Sequence, residues 1–397
     1  MSTISKFSLK QLTLWFLLLT LIVTGCKDRQ EIPPPENKYL VEVTPVAELS
    51  QAQITDIARS ISPLLTGLVR YGVRIYKVSY KTPFVDGNEI IASGAVAVPL
   101  GDQTFPMLSV QHGTITSDSE APSNLRPGSE FMEYGSVFAG LGYISVFPDY
   151  IGYGASNQFP HPYEHRESLG SACLDMLRAT RELIAQEESV KWDNRLYISG
   201  FSEGGYATLA LQKKLEETKE FNLKASTCGA GAYNKSQFMR YLVEGESHGI
   251  SNYNRLYSWV LLSYNWIYGL DYPVNYFFRE PYAAAIQTNL QQANLSGSFN
   301  TLLQDDFVRG LKEGTQADII AALADNDLTN WKPVTPTQLY HGTDDQLVFY
   351  FNTETTYQSM RALGATNVEL KRLEGKDHFT AVMDYLLGSY AFFSVNP

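Results

Sequence analysis

The sequence predicts an α/β fold in which a mostly parallel sheet is flanked by helices. Short apolar runs, each ending in a glycine or a polar residue, are typical of strands buried on both faces. Helical patterns lie between these runs, and such alternation favours parallel strands joined by helical crossovers. The predicted strands of this series are 107–111, 143–147, 195–200, 225–229, 337–340 and 368–373.

The remaining elements surround this series. Residues 73–80 and 90–98 are predicted as two strands joined by a hairpin at Asp86–Gly87. Helices are predicted over 47–69, 130–141, 169–186, 205–219 and 377–393. Residues 232–331 carry dense aromatics and no clear strand, which indicates a helical insertion packed over the sheet. Its aromatic side chains either form the core of the insertion or line an apolar substrate pocket.

The N-terminus indicates export. Lys6 and Lys10 precede an apolar run, 12–23, which is short for a membrane span but suits the central region of a signal peptide. The sequence 23–26 resembles a bacterial lipobox, in which Cys26 is lipidated after removal of residues 1–25. The alternative is an ordinary signal peptide that happens to end at a cysteine.

Residues 26–45 are charged and proline-rich, and they are predicted to form an extended tether. Two acyl chains on Cys26 would hold the protein on a membrane. The charged run after Cys26 resembles the surface-export signal of Bacteroidetes lipoproteins. The expected location is therefore the bacterial outer membrane, with exposure at the cell surface as a further implication.

Composition excludes several partners. The formal net charge is −11, and no basic stripe or Lys/Arg-rich run is present, so a nucleic-acid partner is not expected. No cluster has metal-ligand spacing, and we predict neither a metal nor another cofactor. Cys173 and Cys228 form either one disulfide or two buried free thiols, and the sequence does not decide between them.

The motif G-x-S-x-G occurs at residues 200–204. The predicted strand 195–200 runs into it and the predicted helix 205–219 leaves it, which is the setting of a nucleophile elbow. Ser202 would lie on a strained turn above the carboxyl end of the sheet, with Gly200 and Gly204 allowing close packing. The sequence therefore predicts Ser202 as a nucleophile, the alternative being a glycine-rich turn that contains a serine.

A serine nucleophile needs a base, and three histidines follow Ser202. His248 lies in the predicted insertion and His341 ends a predicted strand. His378 follows the last predicted strand and precedes the closing helix, where the base of an α/β-hydrolase lies. We therefore predict His378 as the base, against a purely structural role at a helix N-terminus.

The acid is expected in the loop after the preceding strand. The pattern H-G-x-x-D-x-x-V in YHGTDDQLV, 340–348, selects Asp345, with Asp344 as the alternative. A carboxylate here would accept a hydrogen bond from one ring nitrogen of His378 and stabilise its imidazolium form. The neighbouring aspartate would then be a solvated turn residue or a helix cap.

Two donors are expected for an oxyanion. One is the backbone N–H of Glu203, the residue after the nucleophile. The second is predicted in the loop His112–Thr114, with Thr114 as the candidate and a plain turn as the alternative.

Four segments resemble the secretory lipase family of α/β-hydrolases. They are VQHGT at 110–114, GYISVFPDYIGYGAS at 142–156 with HPY at 161–163, GFSEGGYATLA at 200–210, and YHGTDDQLV at 340–348 with DHF at 377–379. The resemblance implies an α/β-hydrolase catalytic domain over 46–231 and 332–397, with residues 232–331 as a helical cap inserted before the acid strand.

The resemblance also implies site residues. It gives the triad Ser202, Asp345 and His378, and it adds Asp149 to the oxyanion hole, where the residue otherwise reads as a turn after a strand. The chain departs from the family in its apparent lipid anchor. It also departs at Glu203, because small or neutral residues are common at that position.

These observations predict a serine carboxylic-ester hydrolase, a lipase or esterase that forms an acyl-enzyme on Ser202. The substrate would be a lipid ester, a smaller acyl ester or an ester on a polysaccharide. One alternative is a prolyl-oligopeptidase-like serine peptidase, although the residues before the sheet are too few for a β-propeller. The other is a non-catalytic binding lipoprotein at the cell surface.

Overall fold

A computed structural model of the protein describes residues 37–187 and 189–397. A nine-stranded sheet runs through it in the spatial order β1-β2-β3-β5-β4-β6-β7-β8-β9. The strands are β1 Leu40–Leu49, β2 Val73–Pro83, β3 Glu89–Pro99, β4 Phe105–Gln111, β5 Ile144–Pro148, β6 Trp192–Phe201, β7 Asn222–Gly229, β8 Thr337–Gly342 and β9 Val368–Leu373.

The sheet is mixed: its N-terminal strands are antiparallel and the remaining strands are parallel. Strands β1, β2 and β3 pair antiparallel with one another, and β3 pairs antiparallel with β5. From β5 through β4, β6, β7 and β8 to β9 all neighbours are parallel. The predicted mostly parallel sheet is confirmed, and the carboxyl ends of its parallel strands lie along one edge, where α/β proteins place their ligand sites.

Helices cover both faces of the sheet. Those outside the insertion are α1 Gln51–Ile61, α2 Pro63–Thr66, α3 Ser136–Gly140 (preceded by a π-helical turn, Phe131–Gly135), α4 Arg166–Gln186, α5 Glu203–Thr218, α13 Phe351–Ala362 and α14 Val382–Val395. Those of the insertion are α6 Lys235–Glu244, α7 Ser251–Ile267, α8 Val274–Phe277, α9 Tyr282–Asn289, α10 Phe299–Leu302, α11 Asp305–Glu313 and α12 Ala317–Asp325.

The predicted tether is wrong at its C-terminal end. Residues 40–45 belong to the edge strand β1, where Leu40 pairs with Tyr80 of β2. The strand is mostly exposed, so its stability comes from backbone pairing that hydrophobic spacing does not show. Pro45 lies beside a register shift, an arrangement that a sheet edge tolerates.

The predicted helix over 47–69 is also corrected. It begins only after Ser50, whose side chain and that of Gln53 form a capping box. It ends at Ile61, because Ser62 is extended and caps the short helix that starts at Pro63. The polar caps at Ser50 and Ser62 therefore produce two short helices where the apolar spacing predicts one long helix.

The insertion packs around its own aromatic core. Phe277, Phe278 and Phe299 are buried there, together with Tyr264 of α7. Leu347, from the segment after β8, joins the same cluster and ties the insertion to the sheet. Most insertion aromatics are buried in this cluster or pack against it, which agrees with one of the two interpretations.

Predictions for residues 1–36, including the signal peptide, lipidation of Cys26 and most of the tether, lie outside the described residues. Within 37–187 and 189–397, no helix combines the length and apolarity that a bilayer crossing requires. Cys173 and Cys228 are both buried free thiols, which answers the question of their pairing.

Candidate active site

The G-x-S-x-G turn joins the central strand β6 to helix α5. Ser202 has φ 61° and ψ −124°, a backbone conformation that costs a non-glycine residue free energy. A Cβ on Gly200 would lie 2.3 Å from the carbonyl oxygen of Gly204, and one on Gly204 would lie 2.0 Å from that of Gln111. Only glycine fits at these positions, so the predicted strained elbow is present.

Three predicted residues meet at this edge of the sheet. His378 Nε2 lies 2.9 Å from Ser202 Oγ, and His378 Nδ1 lies 2.6 Å from Asp345 Oδ2. Asp345 follows β8 and His378 follows β9, so the three side chains come from different loops. The arrangement is a serine, a histidine and a carboxylate joined by consecutive hydrogen bonds, as in serine hydrolases.

The loop that carries His378 is held by its neighbour. Asp377 Oδ1 accepts the backbone N–H groups of Phe379 and Thr380, at 3.0 and 2.8 Å. Helix α14 therefore begins at Val382, five residues later than the predicted start at 377. This side-chain turn fixes the backbone on which His378 is presented.

Asp345 is built to stay ionised. Its Oδ1 accepts the backbone N–H groups of Leu347 and Val348, each at 2.9 Å. Burial raises the pKa of this carboxyl. The charge of His378 and hydrogen bonds from His341 and His378 outweigh burial and hold its pKa well below the ordinary value. The alternative acid, Asp344, is exposed and bonds to Thr343, so the structure does not bring it to His378.

A second histidine, His341, supports Asp345. This contact was not predicted from the sequence. His341 is fully buried, and its Nε2 lies 3.2 Å from Asp345 Oδ2 and 2.6 Å from the carbonyl oxygen of Val348. Its Nδ1 lies 2.6 Å from Thr353 Oγ1. Nε2 faces only acceptors and therefore carries the hydrogen, while the Thr353 hydroxyl donates to Nδ1. His341 is the first residue of the H-G-x-x-D pattern, so the pattern itself could have indicated this role.

Replacing His341 by leucine is expected to reduce kcat/KM by roughly tenfold, because Asp345 Oδ2 loses a partner that holds it in position against His378 Nδ1. The acidic limb of the kcat/KM–pH profile should also move to higher pH. With one donor fewer, Asp345 keeps more negative charge and stabilises the imidazolium form of His378 more strongly. His341→Gln, which can present an N–H near the Nε2 position, should restore the limb. An unchanged limb in the leucine variant would mean that His341 only supports the loop.

The side chain of Glu203 points away from Ser202. It is buried, and its Oε1 lies 2.8 Å from Nε2 of His161, whose Nδ1 lies 2.6 Å from the carbonyl oxygen of Ile151. Because a carbonyl only accepts, Nδ1 carries a hydrogen, and the Glu203–His161 contact holds one further shared proton. His161 also packs against Trp259 of α7, with ring centroids 5.5 Å apart. The Glu203 side chain therefore links the nucleophile elbow, through His161, to helix α7 of the insertion.

Two of the predicted oxyanion residues lie beside Ser202, one in the chain and one across the cavity. Glu203 opens helix α5, and the first N–H groups of a helix have no intrahelical acceptor. In the loop after β4, the N–H of Gly113 donates to Glu130 Oε2 at 3.0 Å, while Thr114 lines the cavity beside Ser202. The donor roles of Glu203 and Thr114 remain predictions.

The structure does not bring Asp149 to this site. Its Oδ2 accepts the hydroxyl of Ser93 at 2.6 Å, and its Oδ1 accepts the N–H of Ser123 at 2.8 Å. Its own N–H donates to the carbonyl oxygen of Ser93. Burial raises the pKa of its carboxyl, and no part of the side chain is exposed. Asp149 therefore ties strand β3 to the segment that contains Ser123, and both of its carboxyl oxygens and its N–H are engaged in these contacts.

A cavity of about 500 Å³ opens above Ser202 and His378. Its walls combine apolar side chains with a few polar ones, the usual composition of a small-molecule site. Representative lining residues are Phe138, Leu256, Phe379, Thr114, Glu130 and Arg255. Tyr253 of α7 also lines it, so the insertion contributes to this wall, as the second interpretation of its aromatics held. Within the described part of the chain, no three His, Cys, Asp or Glu side chains are grouped as metal ligands.

The sequence has one family match. Residues 129–265 match the prolyl oligopeptidase family, a stretch that includes Ser202 but neither Asp345 nor His378. No curated protein matches the chain.

Solved structures resemble the whole fold. A Legionella pneumophila protein, described provisionally as a hydrolase, is 26% identical with a TM-score of 0.80, over 90% of this chain and 98% of its own. The rice cell wall degrading esterase LipA from Xanthomonas oryzae is 24% identical with a TM-score of 0.76, over 91% and 97%. Candida antarctica lipase A in its closed state is 16% identical with a TM-score of 0.63, over 90% and 82%.

The last two likenesses show the fold alone, because their identity is low. The parallel half of the sheet, the elbow after β6 and the three hydrogen-bonded side chains are the features of an α/β-hydrolase. The chain is therefore a serine hydrolase of the α/β-hydrolase type.

Proposed function

We propose that this protein is a carboxylic-ester hydrolase of the secretory lipase type, acting through an acyl-enzyme on Ser202. The observation that carries the proposal is the unbroken hydrogen-bond chain from Ser202 through His378 to Asp345, which faces an open cavity. Esterase and lipase names among the structural neighbours are consistent with it.

The proposed reaction has two stages, acylation and deacylation of Ser202, and His378 transfers protons in both. His378 Nε2 takes the hydroxyl proton as Ser202 Oγ attacks the ester carbonyl, and Asp345 stabilises the imidazolium that forms. The N–H groups of Glu203 and Thr114 would donate to the oxyanion. His378 then gives its proton to the departing alcohol, leaving an acyl-enzyme, and a water activated by the same histidine releases the acid.

A serine peptidase is the second candidate, because residues 129–265 match the prolyl oligopeptidase family. The same triad cleaves amides as well as esters. The non-catalytic binding lipoprotein is the weakest alternative, since a binding protein has no need of an assembled triad.

We further propose that residues 1–25 direct export, that Cys26 carries the lipid anchor, and that the enzyme acts at the bacterial outer membrane. The lipobox-like sequence at 23–26 and the charged, proline-rich segment after it support this location. An enzyme held there would meet ester substrates outside the cytoplasm.

Ester and prolyl-amide substrates separate the two enzymatic candidates. The full-length protein should hydrolyse p-nitrophenyl esters and leave glycyl-prolyl p-nitroanilide intact, with the Ser202→Ala variant as the blank for both. Cleavage of the anilide with comparable kcat/KM would favour the peptidase. Activity on neither substrate above the blank would contradict both.

A further inference from the structure

We propose that this enzyme selects esters of short acyl groups with bulky alcohols, because two cavities of very different size meet at Ser202. The inference rests on the proposed ester hydrolysis and specifies its substrate class. The large cavity measures about 500 Å³. The small one, on the insertion side of Ser202, measures about 30 Å³. Both are lined by Ser202, Leu256 and Leu347, which places the nucleophile at their junction.

The position of His378 decides which part of the ester enters which cavity. His378 lines the large cavity and is absent from the lining of the small one. The alcohol oxygen must receive its proton from His378 Nε2 when the ester bond breaks. The alcohol therefore lies in the large cavity, and the acyl group extends from Ser202 to the other side.

The small cavity limits the acyl group. Its volume accommodates about two groups of water size. The walls near Ser202 are aromatic and aliphatic, and Tyr163, Phe238 and Val260 contribute to them. An acetyl or propionyl group fits this space, whereas an octanoyl chain requires the walls to move.

An ion pair holds one part of the wall of the small cavity in place. Lys235 and Glu164 line it and form an ion pair with each other, and both side chains are buried. The Lys235 ammonium also lies 4.2 Å from the ring centre of Tyr206. Separating such a pair leaves a buried charge without its partner, which is strongly unfavourable. This part of the wall therefore resists displacement by a longer acyl chain.

Another part of the wall is formed by apolar side chains that separate the small cavity from the surface. Met239 of α6 and Leu323 of α12 line both the small cavity and a surface groove of about 510 Å³ between these helices. Both residues are about 4% exposed. Removing the Met239 side chain beyond Cβ would join the small cavity to the groove and give a long acyl chain a way out.

Two isomeric esters test the assignment directly. Octyl acetate and ethyl octanoate have the same formula but carry the long chain on opposite sides of the ester bond. The full-length protein should hydrolyse octyl acetate with at least tenfold higher kcat/KM. Equal rates, or faster hydrolysis of ethyl octanoate, would overturn the acyl assignment while leaving ester hydrolysis intact. Hydrolysis of neither isomer above the Ser202→Ala blank would overturn ester hydrolysis itself.

A matched pair of variants tests the wall. Met239→Ala should raise kcat/KM for ethyl octanoate and reduce the ratio between the isomers at least threefold. Val243→Ala, a truncation on the same helix that lines the groove but not the small cavity, should leave the ratio unchanged. An unchanged ratio in a folded Met239→Ala protein would contradict the role of Met239. If that variant does not fold, the isomer ratio of the wild-type protein still decides the proposal.

Discussion

Replacing Ser202 by alanine is expected to lower kcat for a short-chain ester by a factor on the order of 10⁴ to 10⁶. The hydroxyl is the atom that forms the acyl-enzyme, and His378 Nε2 has no other serine within reach at this turn. Alanine also fits the turn, because the change removes only Oγ. The loss should therefore appear in kcat without a comparable change in thermal stability.

A serine elsewhere provides the control. Ser171 on α4 bonds to Glu167 on the protein surface, so Ser171→Ala should retain wild-type kcat and KM. The measurement is steady-state hydrolysis of p-nitrophenyl acetate by both variants, with circular dichroism to verify folding. A Ser202→Ala protein that keeps more than about a hundredth of the wild-type kcat would show that the nucleophile is another group.

Replacing Asp345 by asparagine is expected to lower kcat by about 10⁴-fold. The backbone N–H groups of Leu347 and Val348 require an acceptor at the Oδ1 position. The amide NH₂ must then occupy the Oδ2 position, where it meets the N–H of His341 and the Nδ1 atom of His378. His378 is forced into the tautomer with hydrogen on Nε2, which cannot take the proton of Ser202.

Asp344→Asn is the matched control, because it makes the same chemical change one residue away on an exposed side chain. It should alter kcat by less than twofold. Comparable losses in the two variants would contradict the assignment of the acid, and a loss confined to Asp344→Asn would reverse it. Both variants are measured on the same ester at a pH above the acidic limb of the wild-type profile.

The sequence predicts the site well wherever chemistry depends on local spacing. Gly200 and Gly204 flank Ser202 because a strand and a helix approach each other too closely there for a Cβ. The residues that meet this requirement are close in sequence, so a short motif reveals it. Asp345 follows the buried strand β8 and His378 follows the edge strand β9, so the strand series places them at the same edge. The contact between Asp345 and His378 follows from the order of the parallel strands. The hydrophobic pattern of the sequence is sufficient to predict those strands.

Contacts between distant segments are what the sequence does not predict. The bonds of Asp149 join it to Ser93 of strand β3 and to Ser123 between β4 and β5, and no local pattern distinguishes these roles from an oxyanion role. The pairing of Glu203 with His161 is of the same kind. Strand β1 was missed for a different reason, since an exposed edge strand has no apolar face to show.

The relative sizes of the two cavities also depend on contacts between distant segments, so the sequence does not predict them. The ion pair of Lys235 with Glu164 joins the insertion to the loop before α4, and Met239 closes a space that exists only when α6 and α12 pack together. Acyl-chain preference is therefore a property of the packed insertion, whereas the triad is a property of the sheet.

The most direct test of the account is to trap the covalent intermediate. The full-length protein is mixed with p-nitrophenyl acetate, quenched in acid within the pre-steady-state burst, digested, and analysed by peptide mass spectrometry. The account predicts a burst of nitrophenol stoichiometric with enzyme and one acetyl group on Ser202. A burst with the acetyl group on another residue, or ester turnover with neither burst nor acylated peptide under any quench condition, would contradict it.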